Sequence, residues 1–288
     1  MKTLDYGGIP TSLGEIINIK YHFDQIKNQY DKIILSFHKQ LWHEGLHMNA
    51  PDWAQKKILW DKYLEDIGKL FFSEHPYVLL PNSVRFGGDF GTMVQKLNIT
   101  PIKVEMAPLL CKGTSLNLGE EYIVITTKLR YVEKNIFFPR SIQLWKALNK
   151  LSEKYKIVIL GERIVEMRRE YLSSQSSIFG IYDNLIVNLP ADRIIDLTVP
   201  ALGETVSDLK QIQQDCLIMN EAKFVITLGV GGNSCLAHST AKMAIGFRAD
   251  PLPIADIVYG KEYPNMIVTK DWNYFISLLE KFYSANDA

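Results

Sequence analysis

Phe224-Val225-Ile226-Thr227-Leu228 runs directly into Gly229-Val230-Gly231-Gly232-Asn233-Ser234, and then into Cys235-Leu236-Ala237-His238-Ser239-Thr240-Ala241-Lys242-Met243-Ala244. The first five residues, apolar and rich in β-branching, suit a strand covered on both faces. Leu236 and Met243 then recur at helical spacing. Asn233 or Ser234 can cap that helix. Glycines at 229, 231 and 232 let the backbone come close to a ligand with several N–H groups pointing one way. The positive pole of the helix falls at the same spot, so phosphate or diphosphate is the natural guest. A tight turn with no ligand is the plainer alternative, because any strand–helix unit needs glycine in its turn.

The rest of the chain sets the frame for that unit. Its 288 residues exceed one ordinary domain and suit two of moderate size. Hydrophobic residues at 47% and charged ones at 22% give a globular composition and exclude a disordered or fibrous chain. With 32 basic and 32 acidic residues the formal charge is zero, so no global field favours nucleic acid or an anionic membrane. No apolar run approaches the roughly 20 residues that span a bilayer. Met1-Lys2-Thr3-Leu4-Asp5 lacks a signal core, so a cytoplasmic location is expected, peripheral membrane contact remaining open. Cys111, Cys216 and Cys235 are far apart and form no CxxC pair, which predicts buried, reduced thiols rather than disulfides or a zinc site.

Strand and helix patterns alternate along both halves. A strand at 2–6 leads into Gly7-Gly8-Ile9-Pro10-Thr11-Ser12-Leu13-Gly14-Glu15 and a helix to about residue 29. Ser12 and Glu15 form a capping box at its start. Strands at 33–37 and 77–80 flank an amphipathic helix at 53–72, and Gly87-Gly88-Asp89-Phe90-Gly91 opens a short helix to Leu97. The irregular stretch around Pro108, Gly113, Thr114 and Ser115 reads as a linker. Beyond it the spacing predicts strands at 122–126, 157–160, 245–247 and 266–269, with helices at 141–155, 164–173, 206–221 and 272–283. The economical fold is α/β: two Rossmann-like αβα domains, 1–108 and 120–288, joined by 109–119 and facing a central cleft. Ligands of doubly wound sheets bind outside the carboxyl ends of the strands, so both glycine turns would face that cleft.

Ser12-Leu13-Gly14-Glu15 at the first turn, with the glycine turn late in the second half, resembles glycosyltransferases of the GT-B fold, in particular the heptosyltransferase-like family, glycosyltransferase family 9. The family's first turn is Ser-Leu-Gly-Asp-like. Lys134-Asn135-Ile136-Phe137-Phe138-Pro139, followed by Trp145 and Leu148, is similar to the lysine, tryptophan–proline pair and helix that open its second domain. Ile157 to Glu162 and Asp196-Leu197-Thr198 are similar to later markers, and Gly229 to Ala237 falls at its Asp-Ser-Gly-Pro-x-His turn on the donor diphosphate. Val230 replaces that aspartate and Cys235 that histidine, so a heptose donor is not carried over.

The resemblance implies an inverting, metal-independent transfer of a sugar from a nucleotide-diphosphate donor to a hydroxyl of a glycan or glycolipid acceptor, with no cofactor. Glu15 would be the base that takes the acceptor proton; its plainer role is the capping partner of Ser12. The leaving diphosphate would be held by Gly231, Gly232, Asn233 and Ser234 with Lys128, Arg130 and Lys134, and the nucleotide by Gly161, Glu162 and Arg163. Glu162 also reads as a charge at a helix N-terminus, and Asp89 as a helix cap. Ser12, Gly14, His38 and Asp89 are the acceptor-side candidates.

Other chemistry competes. His43-Glu44-Gly45-Leu46-His47 matches the H-E-x-x-H pattern of zinc hydrolases, but Gly45 and Pro51 are poor helix residues and no third ligand follows at short spacing. A loop lining the acceptor side is the alternative for this stretch, where Trp42 would be placed to stack on a sugar. A nucleotide-sugar 2-epimerase of the same architecture, or a binding module without catalysis, would also use these parts.

Overall fold

The computed structural model describes residues 1–9, 20, 23–24, 26–38, 53–72, 77–80, 106–126, 140–164, 188–201, 209–228, 232–247 and 265–284. The chain divides into two compact units, Met1–Val104 with Val206–Ile212, and Glu105–Thr205 with Gln213–Ala288. Both are α/β with parallel sheets, as the alternation of strand and helix patterns predicts.

In the first unit β1 (Thr3–Ile9), β2 (Lys32–His38) and β3 (Tyr77–Leu80) form a parallel sheet in that order. Helix α1 (Trp53–Phe72) is the crossover between β2 and β3. It buries Tyr63, Ile67, Phe71 and Phe72, the inward stripe of its pattern, while Ile58 stays exposed. Phe23, in the helical segment before β2, meets Phe72 edge-on at 5.4 Å between ring centroids. Strand β1 runs past its expected end, and its register against β2 slips between Tyr6 and Ile9. The glycine pair Gly7-Gly8 lies within that slip, since residues without Cβ tolerate a bulge.

The second unit is built on six parallel strands in the order β11-β10-β9-β4-β5-β7. These are β4 (Tyr122–Thr126), β5 (Lys156–Leu160), β7 (Ile194–Asp196), β9 (Val225–Leu228), β10 (Ala244–Phe247) and β11 (Met266–Thr269). Strands β4, β9 and β10 are buried along their whole length, which is why they read as unbroken apolar runs rather than alternating ones. One face carries Ile123, Ile125, Ile157, Ile159, Ile226, Ile245 and Phe247. They pack with Leu144, Leu148 and Leu151 of α3 (Ser141–Ser152) and Trp272, Phe275 and Leu279 of α6 (Trp272–Ser284). The other face meets α4 (Leu209–Glu221) and α5 (Gly232–Thr240), and the Tyr122 hydroxyl donates to the Ile218 carbonyl at 3.0 Å.

Residues 109–119, expected as linker, fall within the second unit, and their first turn belongs to a short helix, α2 (Ala107–Leu110). Leu110 is fully buried, and the Met106 N–H donates to Ser239 O at 3.0 Å. Side chains of α4 hold the irregular remainder: the Gln214 amide accepts from Thr114 N at 2.9 Å and donates to Thr114 O at 2.7 Å. Cys111 is half-buried rather than buried, with Sγ 3.4 Å from the Cys216 carbonyl oxygen, while Cys216 and Cys235 are buried as expected.

Candidate functional site

Numbered within the second unit, the sheet order is 3-2-1-4-5-6, with β4 first and β9 fourth. The chain winds one way from β4 through β5 to β7 and the other way from β9 through β10 to β11. The order reverses between β4 and β9, which pair in parallel from Val124↔Val225 to Thr126↔Thr227. Crossover helices leave from opposite faces there, so a crevice opens outside the carboxyl ends of these two strands.

Across that edge runs one row of paired residues, Leu160, Thr126, Thr227, Gly246 and Val268. Two buried threonines and a glycine at its centre interrupt a sheet otherwise filled with large apolar side chains.

Helix α5 approaches the crevice from one face. Gly232 and Asn233 are its first residues, Ser234 is buried, and every residue from Ser234 to Ala241 is buried with it. No acidic side chain occupies its first turn to neutralise the positive pole. Its far end is fastened from three directions. Asn220 donates to Thr240 O at 2.7 Å, Asn265 donates to Ala241 O at 2.7 Å, and the Met106 N–H takes Ser239 O. Carbonyls that a helix leaves unpaired are thus satisfied by neighbours rather than water.

From the other face comes the start of α3. Arg140 is its N-cap residue, half-buried, with its guanidinium carbon 6.0 Å from the Trp272 ring centroid. The Trp272 indole N–H donates to Gln143 Oε1, and its ring stands edge-on to Phe247 at 4.9 Å. Phe247 ends β10 and pairs with Leu228, after which the glycine turn begins.

At the β5 side the sheet is extended outward. β6 (Glu162–Ile164) pairs with β8 (Val199–Ala201) in parallel. The offset between partners is the one that β5 and β7 already have, so the ladder stops and resumes without slipping. Gly161 occupies the break with φ of 127°, a conformation that side chains resist. Opposite it, Asp196 Oδ1 accepts from the Thr198 N–H at 3.0 Å and hydroxyl at 2.6 Å.

The expected donor-side residues therefore divide. Gly232, Asn233 and Ser234 begin α5; Gly161 sits in the ladder break, and Glu162 and Arg163 lie in β6 rather than at a helix start. Ile164 likewise ends β6 instead of opening a helix. Gly231, Lys128, Arg130 and Lys134 lie outside the described residues, as do Glu15, Ser12, Gly14, Asp89 and the stretch His43 to His47. His38 is the last residue of β2. Among the described residues no group of three or more His, Cys, Asp or Glu could hold a metal ion, and no helix is long and apolar enough to cross a membrane. The sequence reading missed Arg140; a cation next to the proline that precedes a predicted helix was the available signal.

Comparison with solved structures was made across the whole chain. It is similar to glycosyltransferase structures. The spinosyn rhamnosyltransferase SpnG matches with 12% identity and a TM-score of 0.39, over 99% of this chain and 90% of that one. SpnG complexed with thymidine diphosphate matches with 12% identity and a TM-score of 0.38 over the same shares. The OtsA apo structure matches with 9% identity and a TM-score of 0.35, over 94% of this chain and 70% of that one. No protein-family model and no curated protein sequence matches the chain.

Proposed function

We propose that the protein is a glycosyltransferase that moves a sugar from a nucleotide-diphosphate donor to a hydroxyl of a glycan or glycolipid. The observation that carries this reading is the reversal of strand order between β4 and β9, with a glycine turn and the N-terminus of α5 following β9 directly. An anionic, nucleotide-sized ligand is what such an edge suits. In this reading residues 120–288 hold the donor and residues 1–108 bring the acceptor.

The reaction is an inverting displacement. Glu15 takes the proton of the acceptor hydroxyl as its oxygen attacks the anomeric carbon, and the bond to the diphosphate oxygen breaks on the opposite side. Backbone N–H groups of Gly231 to Ser234 and the cations Lys128, Arg130 and Lys134 stabilise the departing diphosphate, a role that fixed dipoles fill without a metal. Gly161, Glu162 and Arg163 contact the nucleoside. Ser12, Gly14, His38 and Asp89 contact the acceptor.

A thermal-shift screen of the purified chain against UDP, GDP, ADP, CMP, dTDP and their sugar conjugates tests the reading. A ligand at a hundred times its Kd adds about 2.7 kcal/mol of stability, a plain rise in melting temperature. Stabilisation by one nucleoside diphosphate and its sugar conjugate is expected. A response to zinc alone, lost on chelation, would move the assignment to His43 and His47.

A further inference from the structure

A helix start is an unfavourable place for a cation, because the guanidinium charge and the helix pole repel each other. Arg140 occupies that place in α3, and the first turn of α3 holds no acidic residue to offset it. Its guanidinium lies over Trp272, and Trp272 is fixed by Gln143 and Phe247. An aromatic surface attracts a cation and keeps a planar guanidinium oriented, yet leaves its N–H fork available to a carboxylate or phosphate. Two sources of positive potential are thereby held together at the carboxyl edge, beside the end of β9. Local choices that oppose stability without a visible gain in packing are a mark of functional positions.

We infer that Arg140 binds the diphosphate of the ligand, its guanidinium oriented by Trp272, from the face of the sheet opposite to α5. This rests on the proposed reading of the second unit as a donor site and adds to it a residue outside the glycine turn and the 128–134 segment. Trp272 acts as a positioning residue through Arg140.

The test is calorimetric titration of the full chain with UDP, GDP, ADP, CMP and dTDP, and separately with inorganic pyrophosphate, at several salt concentrations. Arg140→Gln is expected to weaken both the favoured nucleoside diphosphate and pyrophosphate at least tenfold and to flatten the salt dependence. Its melting temperature without ligand should equal or exceed that of the unaltered chain, since a repulsion has been removed. Arg140→Lys should recover part of the affinity, and Trp272→Phe should weaken binding less than Arg140→Gln. Unchanged affinity in Arg140→Gln, with the unaltered chain still binding, overturns the assignment and leaves the donor-site reading standing. Loss for the nucleoside diphosphate but not for pyrophosphate would put Arg140 on the nucleoside and overturn it too. So would an affinity loss that comes with a lower melting temperature and is not recovered by lysine. If the unaltered chain binds none of these ligands, the donor-site reading itself fails.

Discussion

The hydroxyl oxygen of Thr227 occupies the space that a side chain on Gly246 would need. The two residues face each other across β9 and β10, and a Cβ on residue 246 would stand 2.7 Å from Thr227 Oγ1 and 3.2 Å from Val268 Cγ2. Gly246→Ala is therefore expected to destabilise the second unit by about 1–3 kcal/mol through overpacking, less a few tenths regained from the stiffer unfolded chain. Urea denaturation measures it. In Gly246→Ala/Thr227→Ala the cost should be clearly below the sum of the two single changes; strict additivity would show that the two side chains do not compete.

Glu15 has two roles to separate, helix cap and proton acceptor. A glutamine at that position can still complete the capping box with Ser12 but cannot accept a proton. Glu15→Gln should leave the melting temperature unchanged and lower kcat by about 10²- to 10⁴-fold. Ser12→Ala should do the reverse in kind, costing roughly 1 kcal/mol of stability with a smaller effect on turnover. Equal activity of Glu15→Gln and the unaltered chain in a sugar-transfer assay would remove the carboxylate from the mechanism.

Gly161 sits where the ladder breaks, at φ of 127°. Gly161→Ala should cost about 1–3 kcal/mol, because the residue has no unstrained way to hold that backbone. If Glu162 and Arg163 contact the nucleoside, the same change should also weaken nucleoside diphosphate binding while sparing inorganic pyrophosphate. Calorimetry with both ligands distinguishes a local from a general loss.

Two groups on the α4 face link stability to alkaline pH. Burial pushes the Tyr122 hydroxyl above its ordinary range, with the Glu221 charge acting in the same direction, and burial pushes the Cys216 thiol up as well. Each holds its proton in the fold at pH values where the unfolded chain has lost it. Stability is thus full below the unfolded values, about 8.5 for cysteine and 10 for tyrosine, and falls as pH rises above them. Tyr122→Phe should lose the hydrogen bond to Ile218, at about 1 kcal/mol near neutrality, and shallow the decline above pH 10. A denaturation series from pH 7 to 11 with both chains checks it.

Much of this architecture is legible in the residues. Helix α1 and strands β3, β4 and β11 fall where periodicity puts them, because long amphipathic stripes and buried apolar runs leave little choice. Helix α3 ends three residues early, at Ser152 rather than Tyr155. Tyr155 is claimed instead by the core, edge-on to Phe224. The short strands β6, β7 and β8 escape notice since three residues carry no period, and their pairing depends on partners far along the chain. The segment 106–119 looks like a tether because its proline and glycines break any pattern. What holds it is long-range: amide and carboxylate groups of α4, such as Gln214 on Thr114 and Glu221 on Ser115. At the candidate site the glycine turn announces itself. Arg140 does not, because its significance lies in Trp272, which is remote in sequence.

Helix α5 is gripped at Thr240 and Ala241 and enclosed along its length, so its other end has no freedom of its own. Its extent then works as a ruler: at about 1.5 Å per residue, the span from the clamp formed by Asn220 and Asn265 decides how far Gly232 reaches into the crevice. Inserting or deleting one residue anywhere along it would also swing the leading N–H groups by roughly 100°. Sequences built on this plan are thus free to vary what the helix is made of, but not how long it is.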